Sequence, residues 1–348
     1  MNPKTYMVGG AVRDLLLGRK PKDIDYVVVG ANHRWMIEQG FTQVGVTFPV
    51  YMHPETGQEY ALARREKKTG PGYNGFEVET ENVTIEEDLS RRDLTINSMA
   101  IDEDGTLIDP YGGYKDLMGR ILKHTSDAFA EDPIRVLRTA RFAARYDFDV
   151  QFDTIEFSRK IAHEIDDVDP NRVWLEIRKA IREPYIDQFF DKIWSTCSRR
   201  SKMMDSIYPL HMSFRPNVHH QIFVSRSPTE VLVAAYLTPS NENGASKMEI
   251  ELHQMFNEFS DLAYDSVGQI RFIMKWRLLQ DCDRTEWFLN AGMFLFKSFD
   301  EFVEKRTILK NYQMTDDQKD HLSKCKGKEA RDYIEDVYIC VLGDKECL

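Results

Sequence analysis

Short apolar runs alternate with helical segments along the first 110 residues. Gly and Pro residues separate the runs, which is typical of strands joined by turns. The five predicted strands are Tyr6–Val8, Asp25–Val29, Thr42–Val46, Phe48–His53 and Glu59–Ala63. Between the last of these and the next apolar run, residues 64–76 combine charges with glycine and proline, which predicts a mobile loop.

From about residue 116 the apolar residues recur at helical spacing instead. Ile134, Leu137 and Phe142 follow Pro133, a residue favoured at the start of a helix. Helices are expected to continue over 153–190, with a break at Asp169-Pro170. Further helices are predicted over 228–237, 248–263, 266–279, 285–297 and 299–312. The whole pattern predicts an α+β protein with its strands near the N-terminus.

Composition narrows the class of protein. A chain of 348 residues is long enough for about two or three domains and a sizeable core. Its five cysteines form no Cys-x-x-Cys pair, which argues against a disulfide framework and against a zinc ribbon. No stretch approaches the roughly 18 apolar residues of a membrane span. We therefore expect a cytoplasmic protein that does not enter a membrane.

The net charge of −11 points away from a protein that binds nucleic acid through its average charge. Binding needs only a local basic surface, however, and basic residues do cluster. The clusters are Arg64–Lys68, Arg91-Arg92, Arg135 to Arg145, Arg178-Lys179 and Arg199-Arg200. Any single cluster is more typical of an ordinary mixed-charge surface, but together they favour an acidic body with a basic inner face.

Candidate phosphate-binding and metal-binding residues are most concentrated in residues 6–30, YMVGGAVRDLLLGRKPKDIDYVVVG. Gly9-Gly10 follows a short strand and allows a backbone to approach phosphate closely. Asp23 and Asp25 are two residues apart, and within a strand that spacing points both carboxylates to one face. Two adjacent carboxylates suit Mg²⁺, so the segment predicts phosphoryl or nucleotidyl transfer from a nucleoside triphosphate. Each part alone is more often a turn or solvated surface.

Two further segments contain arginine, aspartate and asparagine side chains that suit the phosphate, sugar and base of a nucleotide. In Arg91–Asn97, the arginines suit phosphate while Asp93 and Asn97 suit sugar hydroxyls. In Glu131–Arg141, Asp132 and Arg135 lie three residues apart, so on a helix they share a side and can bind the edge of a nucleobase. The alternatives are a charged helix terminus and an ordinary salt bridge at the start of a helix.

The segment Asn171–Glu176 favours a structural role instead. Asn171 is a fair helix cap, and Arg172 and Glu176 have the spacing of an intrahelical ion pair. We expect this pair to brace the helices that follow the strand-rich part.

These segments, with Gly113-Tyr-Lys-Asp116-Leu117 between them, resemble the motifs of the class II tRNA nucleotidyltransferases of bacterial type, the CCA-adding enzymes. The CCA-adding enzymes are members of the tRNA nucleotidyltransferase/poly(A) polymerase family. The resemblance covers roughly residues 5–180. It implies a polymerase-beta-like nucleotidyltransferase head with a mixed sheet over residues 1–122, a helical neck over 123–190, and a helical, tRNA-binding body and tail over 191–348.

The resemblance also implies roles for individual residues. Asp23 and Asp25 would be the catalytic carboxylates and hold Mg²⁺, with Glu59 as a weak candidate for a third carboxylate. Loop 64–76 would act as a lever between the CTP and ATP states. The nucleotide would be bound by Gly10 and Arg13 at the triphosphate, Arg92, Asp93 and Asn97 at phosphate and ribose, the base-selecting pair Asp132 and Arg135, and the supporting Arg138 and Arg141.

The implied activity is template-independent addition of C, C and A to tRNA from CTP and ATP. The sequence does not fix the oligomeric state, and a monomer is favoured. The chain contains no His-Asp dipeptide, and Tyr236–Pro239 offers no metal ligands where a phosphohydrolase motif would stand, so we expect no phosphatase or phosphodiesterase activity. Asn171 replaces the usual Glu of its motif. The alternatives are a poly(A) polymerase, an enzyme adding only CC or only A, and an inactive RNA-binding relic.

Overall fold

The computed structural model describes residues 3–44, 50–68, 76–197, 245–262, 265–296 and 299–342. The chain divides into two compact units, Met1–Met204 and Asp205–Leu348. The predicted helix over 228–237, the segment Tyr236–Pro239 and most of loop 64–76 lie outside the described residues.

A mixed sheet of seven strands forms the head of the first unit, in the order β3-β4-β5-β2-β1-β8-β9. Strands β2 and β5 run parallel, and the other neighbours run antiparallel. The seven are β1 Lys4–Val8, β2 Asp25–Val29, β3 Thr42–Gln43, β4 Val50–Met52, β5 Glu59–Leu62, β8 Ala100–Ile101 and β9 Leu107–Ile108. Two separate ladders pair β6 Arg65–Lys68 with β7 Phe76–Glu79 and β10 Ile121–Leu122 with β11 Asp149–Val150.

Both faces of the central strand β2 are buried. Val27 packs into a cluster with Leu89 on one face, and its neighbour Val28 packs with Met36 and Tyr51 on the other. Successive strand residues point to opposite faces, so two adjacent buried valines require a covered sheet on both sides.

Four short helices complete the head: α1 Gly10–Leu16, α2 His33–Glu38, α3 Ile85–Ser90 and α4 Gly113–Met118. Helix α3 follows Thr84, has acidic residues in its first turn and begins with a capping box. The Glu87 backbone N–H donates to the Thr84 hydroxyl at 3.3 Å, and the Thr84 N–H donates to the Glu87 carboxylate at 2.8 Å. This cap fixes the start of α3, and Arg91 and Arg92 follow the other end of the helix.

The neck consists of α5 Ile134–Tyr146, α6 Phe152–Ile161, α7 Pro170–Ala180 and α8 Ile186–Thr196. Helix α5 packs against both α7 and α8 and is buried over most of its length. Helix α7 begins at the predicted break, with Pro170 in its first turn and the Asp169 carboxylate accepting the Asn171 N–H at 2.9 Å. The expected helical neck is confirmed, and α8 extends beyond residue 190.

The described part of the second unit is helical, as predicted. Its core is aromatic, since Phe259 and Phe302 lie 4.7 Å apart between ring centroids and both are buried. Its helices are α9 Lys247–Leu262, α10 Ser266–Lys275, α11 Asp283–Leu295, α12 Phe299–Asn311, α13 Asp316–Lys324 and α14 Lys328–Val341. Among the residues described in the two units, no helix combines the length and apolarity needed to cross a membrane.

Candidate active site

A cleft of about 690 Å³ opens in the first unit between the head and the neck. All eleven residues proposed from the sequence line this cleft. From the head come Gly10, Arg13, Asp23, Asp25, Arg92, Asp93 and Asn97, and from the neck Asp132, Arg135, Arg138 and Arg141. Gly10 and Arg141, which are 131 positions apart in sequence, therefore line one cleft.

The cleft is basic although the chain is acidic. Eight arginines and five carboxylates line it, whereas the chain carries a net charge of −11. A basic cleft in an acidic protein concentrates anionic ligands such as nucleoside triphosphates. This agrees with the basic inner face expected from the arginine clusters.

The glycine pair forms the head side of the cleft. Gly9 has φ +67°, and a Cβ at this position would lie 2.9 Å from Nη1 of Arg92. At Gly10 the nearest atom to such a Cβ is Nη2 of Arg13, at 3.5 Å. The positive φ of Gly9 favours glycine at this position, and Gly10 adds no side chain to the lining of the cleft.

Asp88 anchors the two arginines that follow α3, and the sequence reasoning missed it. Its buried carboxylate accepts hydrogen bonds from Arg91 Nη2 at 2.6 Å, Arg92 Nη2 at 3.1 Å and the Arg64 N–H at 3.2 Å. Burial raises the pKa of Asp88, but Arg91 and Arg92 outweigh that effect and hold it below the ordinary value. Its spacing of three and four residues from the arginines was the available signal.

The two candidate metal ligands lie at the start of β2, not both within it. Asp25 is the first strand residue, whereas Asp23 lies on a bend before it, so the prediction of two strand residues is wrong for Asp23. Burial raises the pKa of Asp25, the charge of Asp23 raises it further, and Arg92 lowers it. A cation beside the pair would favour the ionised form of Asp25.

The donor set fits Mg²⁺, which proteins commonly bind through one or two carboxylates together with substrate phosphates. Within the described ranges, no group of three or more His, Cys, Asp and Glu side chains forms a metal-binding cluster. The register of β2 on β5 pairs Tyr26 with Tyr60, which places Glu59 beside Asp25 on the neighbouring strand. Glu59 is nevertheless exposed and lies outside the lining of the cleft.

Arg13 fastens the head to the neck. Its Nε and Nη2 donate to Oδ1 of Asp14 at 3.0 and 2.8 Å, and Nη1 donates to Asn97. The guanidinium also lies 5.3 Å from the ring centroid of Phe142 and 5.1 Å from that of Tyr146, both on α5. With its donors engaged in this way, Arg13 shapes the cleft from a buried position.

Asp93 continues the connection across the cleft. Its Oδ1 accepts the Leu94 N–H at 2.8 Å and Asn97 Nδ2 at 3.0 Å, while Oδ2 accepts Arg138 Nε at 2.8 Å. Burial opposes ionisation, but Arg138, the hydrogen bond from Asn97 and Arg135 hold the pKa of Asp93 far below its ordinary value. The ionised carboxylate is thus a fixed link between the head and α5.

Helix α7 joins the same network through Glu176. The carboxylate accepts Arg141 Nε at 2.7 Å and Lys179 Nζ at 3.2 Å, and it lies 3.7 Å from Arg138 Nη1. The predicted intrahelical pair between Arg172 and Glu176 is therefore wrong. Glu176 does brace the neck, but it does so by binding α5.

The base-selecting pair is also arranged differently from the prediction. Asp132 lies in extended backbone before α5, so it does not share a helix face with Arg135. Arg135 donates from Nη1 to the Ala128 carbonyl and from Nη2 to the Arg91 carbonyl, both at 2.6 Å. A guanidinium has five N–H donors, and among the described residues these two hydrogen bonds engage two of the five. Both side chains line the cleft.

The sequence reasoning missed several cleft residues on the neck. Arg172, Leu175 and Glu176 line it from one side of α7, and Phe142 and Arg145 line it from α5. Their spacing of three and four residues is that of one helix face, which was the signal available for Leu175 and Arg145.

Comparisons with known proteins show which families the chain resembles. Residues 5–123 match the Poly A polymerase head domain, and residues 147–197 match the probable RNA and SrmB-binding site of polymerase A. Over 244 residues the chain is 48% identical to the multifunctional CCA protein of Nitrosococcus oceani, covering 69% of this chain and 60% of that protein. The chain belongs to the tRNA nucleotidyltransferase/poly(A) polymerase family.

Solved structures of CCA-adding enzymes share the fold of this family member. The apo form II of one such enzyme aligns with a TM-score of 0.70 at 19% identity, covering 100% of this chain and 89% of the other. The enzyme of Bacillus stearothermophilus in complex with CTP aligns with a TM-score of 0.63 at 20% identity, covering 99% and 90%. The chain spans 60% of the length of its Nitrosococcus relative, whose remaining residues have no counterpart in the alignment.

Proposed function

We propose that this protein adds C, C and A to the 3′ end of tRNA without a nucleic-acid template, using CTP and ATP and releasing pyrophosphate. The observation that carries the proposal is the meeting of the Asp23/Asp25 pair and the Asp132/Arg135 pair in one basic cleft. A relative at 48% identity is a multifunctional CCA protein, and a neighbour in fold binds CTP.

Asp23 and Asp25 would hold Mg²⁺, which when bound activates the 3′-hydroxyl of tRNA and neutralises the leaving pyrophosphate. The backbone at Gly9-Gly10 allows the triphosphate to approach closely. Arg92, already oriented by Asp88, supplies positive charge at the same side of the cleft. These groups favour phosphoryl chemistry on any nucleotide and leave base selection to the neck.

Base selection follows from donor and acceptor patterns. Cytosine and adenine both present an amino donor next to a ring-nitrogen acceptor, whereas uracil and guanine present a carbonyl next to a ring N–H. A carboxylate at Asp132 accepts from the amino group, and the unused N–H groups of Arg135 donate to the ring nitrogen. The pair therefore matches C and A and opposes U and G.

Incubation of the full chain with tRNA lacking its 3′ terminus, Mg²⁺ and labelled CTP and ATP tests the proposal. Three additions ending in A support it. A long A ladder indicates a poly(A) polymerase, two C or a single A indicates a partial enzyme, and no incorporation indicates an inactive relic. The variant Asp25→Ala should abolish incorporation, and the exposed Asp104→Ala serves as the matched control.

We also propose that the enzyme acts as a cytoplasmic monomer on tRNA. The absence of disulfides among the described cysteines supports a reducing compartment. Sedimentation velocity at enzyme concentrations used in the assay tests the monomer, and a dimer mass under those conditions would contradict it.

A further inference from the structure

The carboxylate of Asp132 is held by a residue from a different helix. Arg172, on α7, donates from Nη2 to Oδ2 of Asp132 at 2.7 Å, although the two are 40 residues apart. The other oxygen, Oδ1, accepts only the longer 3.3 Å hydrogen bond from the Ile134 N–H among those described. Arg172 therefore makes the stronger of two contacts that define the orientation of this carboxylate.

Arg172 is itself placed by a fixed helix. Asp169 caps the start of α7, and Glu176, one turn after Arg172, is bound to Arg141 of α5 at 2.7 Å. The side chains of Arg172 and Asp132 are 30% and 25% exposed and both line the cleft. The contact thus lies at the surface that a bound base would meet.

This contact orients Asp132 without blocking it. Each carboxylate oxygen has two acceptor positions, so Oδ2 can accept from Arg172 and still leave acceptors for a base. Asp has two rotatable side-chain bonds, and without Arg172 its carboxylate could turn away from the ring edge of the nucleotide. Discrimination by hydrogen bonding requires fixed groups, because a movable carboxylate can avoid the carbonyl oxygen of uracil.

We propose that Arg172 is a positioning residue for nucleotide selection. It fixes the Asp132 carboxylate so that C and A find an acceptor while U and G meet repulsion. The proposal rests on the proposed function, since it assigns a role within the same cleft.

The test compares CTP with UTP in single-nucleotide incorporation and, separately, in binding without tRNA by calorimetry. A charge-assisted hydrogen bond is worth enough to change selectivity by about 10- to 100-fold, so Arg172→Ala should lower the CTP-to-UTP ratio by about that factor. The loss should appear as a higher KM for CTP with little change in kcat. Arg172→Lys keeps a charge without the planar fork and should restore part of the ratio.

The control is Arg159→Ala, which breaks an exposed arginine–carboxylate pair on α6 outside the cleft. It should leave the ratio unchanged. An unchanged ratio in Arg172→Ala overturns the proposal, and if that variant does not fold, an unchanged ratio in Arg172→Lys does so. If the wild type incorporates no nucleotide, the proposed function fails, and the CTP-to-UTP ratio in binding still decides the role of Arg172.

Discussion

The buried carboxylate of Asp93 is expected to stabilise the joint between head and neck. The variant Asp93→Asn keeps the shape of the side chain but removes its charge. The amide oxygen can replace one carboxylate oxygen, so the amide nitrogen faces either Arg138 Nε or the donors Leu94 N and Asn97 Nδ2. At least one buried donor then loses its acceptor.

The expected loss of stability in Asp93→Asn follows from the burial of the ion pair between Asp93 and Arg138. Removing one partner of a buried ion pair costs about 3–5 kcal/mol. Asp93 is 7% exposed, but Arg138 is 32% exposed and retains Glu176 at 3.7 Å, which provides partial compensation. We therefore expect Asp93→Asn to lower the free energy of unfolding by about 3 kcal/mol at pH 7, near the lower end of that range.

The contribution of Asp93 to the free energy of unfolding decreases as the pH is lowered. The pKa of Asp93 is lowered in the folded protein, so its contribution is present above the unfolded value of 3.8 and is lost as the pH falls below it. Each pH unit below that value removes about 1.4 kcal/mol. The difference between wild type and Asp93→Asn should therefore shrink by about 1 kcal/mol between pH 7 and pH 3.

Urea unfolding followed by circular dichroism at pH 7, 5 and 3 measures this difference. The exposed Asp104→Asn is the control and should change the free energy of unfolding by less than about 0.5 kcal/mol. If Asp93→Asn is as stable as the wild type at pH 7, or if the difference is the same at all three pH values, Asp93 does not stabilise the joint as an ionised carboxylate.

Two further predictions concern the head. Gly9→Ala should lower the free energy of unfolding by about 1–3 kcal/mol, because a φ of +67° is strained for alanine and the new Cβ meets Arg92. The control Gly10→Ala should unfold at the wild-type temperature, and equal unfolding midpoints for the two variants in a thermal scan would contradict the prediction. Mg²⁺ affinity, measured by calorimetry, should rise with pH as Asp25 ionises. In Asp23→Asn this rise should occur at lower pH, because the charge of Asp23 raises the pKa of Asp25. An Mg²⁺ affinity that does not depend on pH would contradict the prediction.

Local patterns predicted the fold well where an element is long enough to have a period. Helix α5 and the strands β1, β2 and β5 follow directly from apolar spacing. The two-residue strands β8 to β11 were not predicted, because two residues show no alternation. Such strands form because neighbouring chain segments already lie in place.

Candidate residues were easier to find than their partners. The spacing of Arg172 and Glu176 predicts a local pair, yet tertiary packing of α7 on α5 gives each a partner 35 to 40 residues away. An isolated helix favours its own i,i+4 pairs only by about 0.2–0.5 kcal/mol, so a partner that tertiary packing holds nearby readily prevails. Sequence spacing therefore identified the residues that line the cleft but not their hydrogen-bond and ion-pair partners.

The proposed function requires that one cleft both catalyses nucleotidyl transfer and selects C and A in a fixed order. The most direct measurement is sequencing of the 3′ ends of tRNA after incubation with the full chain, Mg²⁺ and all four nucleoside triphosphates. We expect the addition of C, C and A, with termination after A and without U or G. A run of A residues, a mixed sequence or an unchanged 3′ end would contradict it.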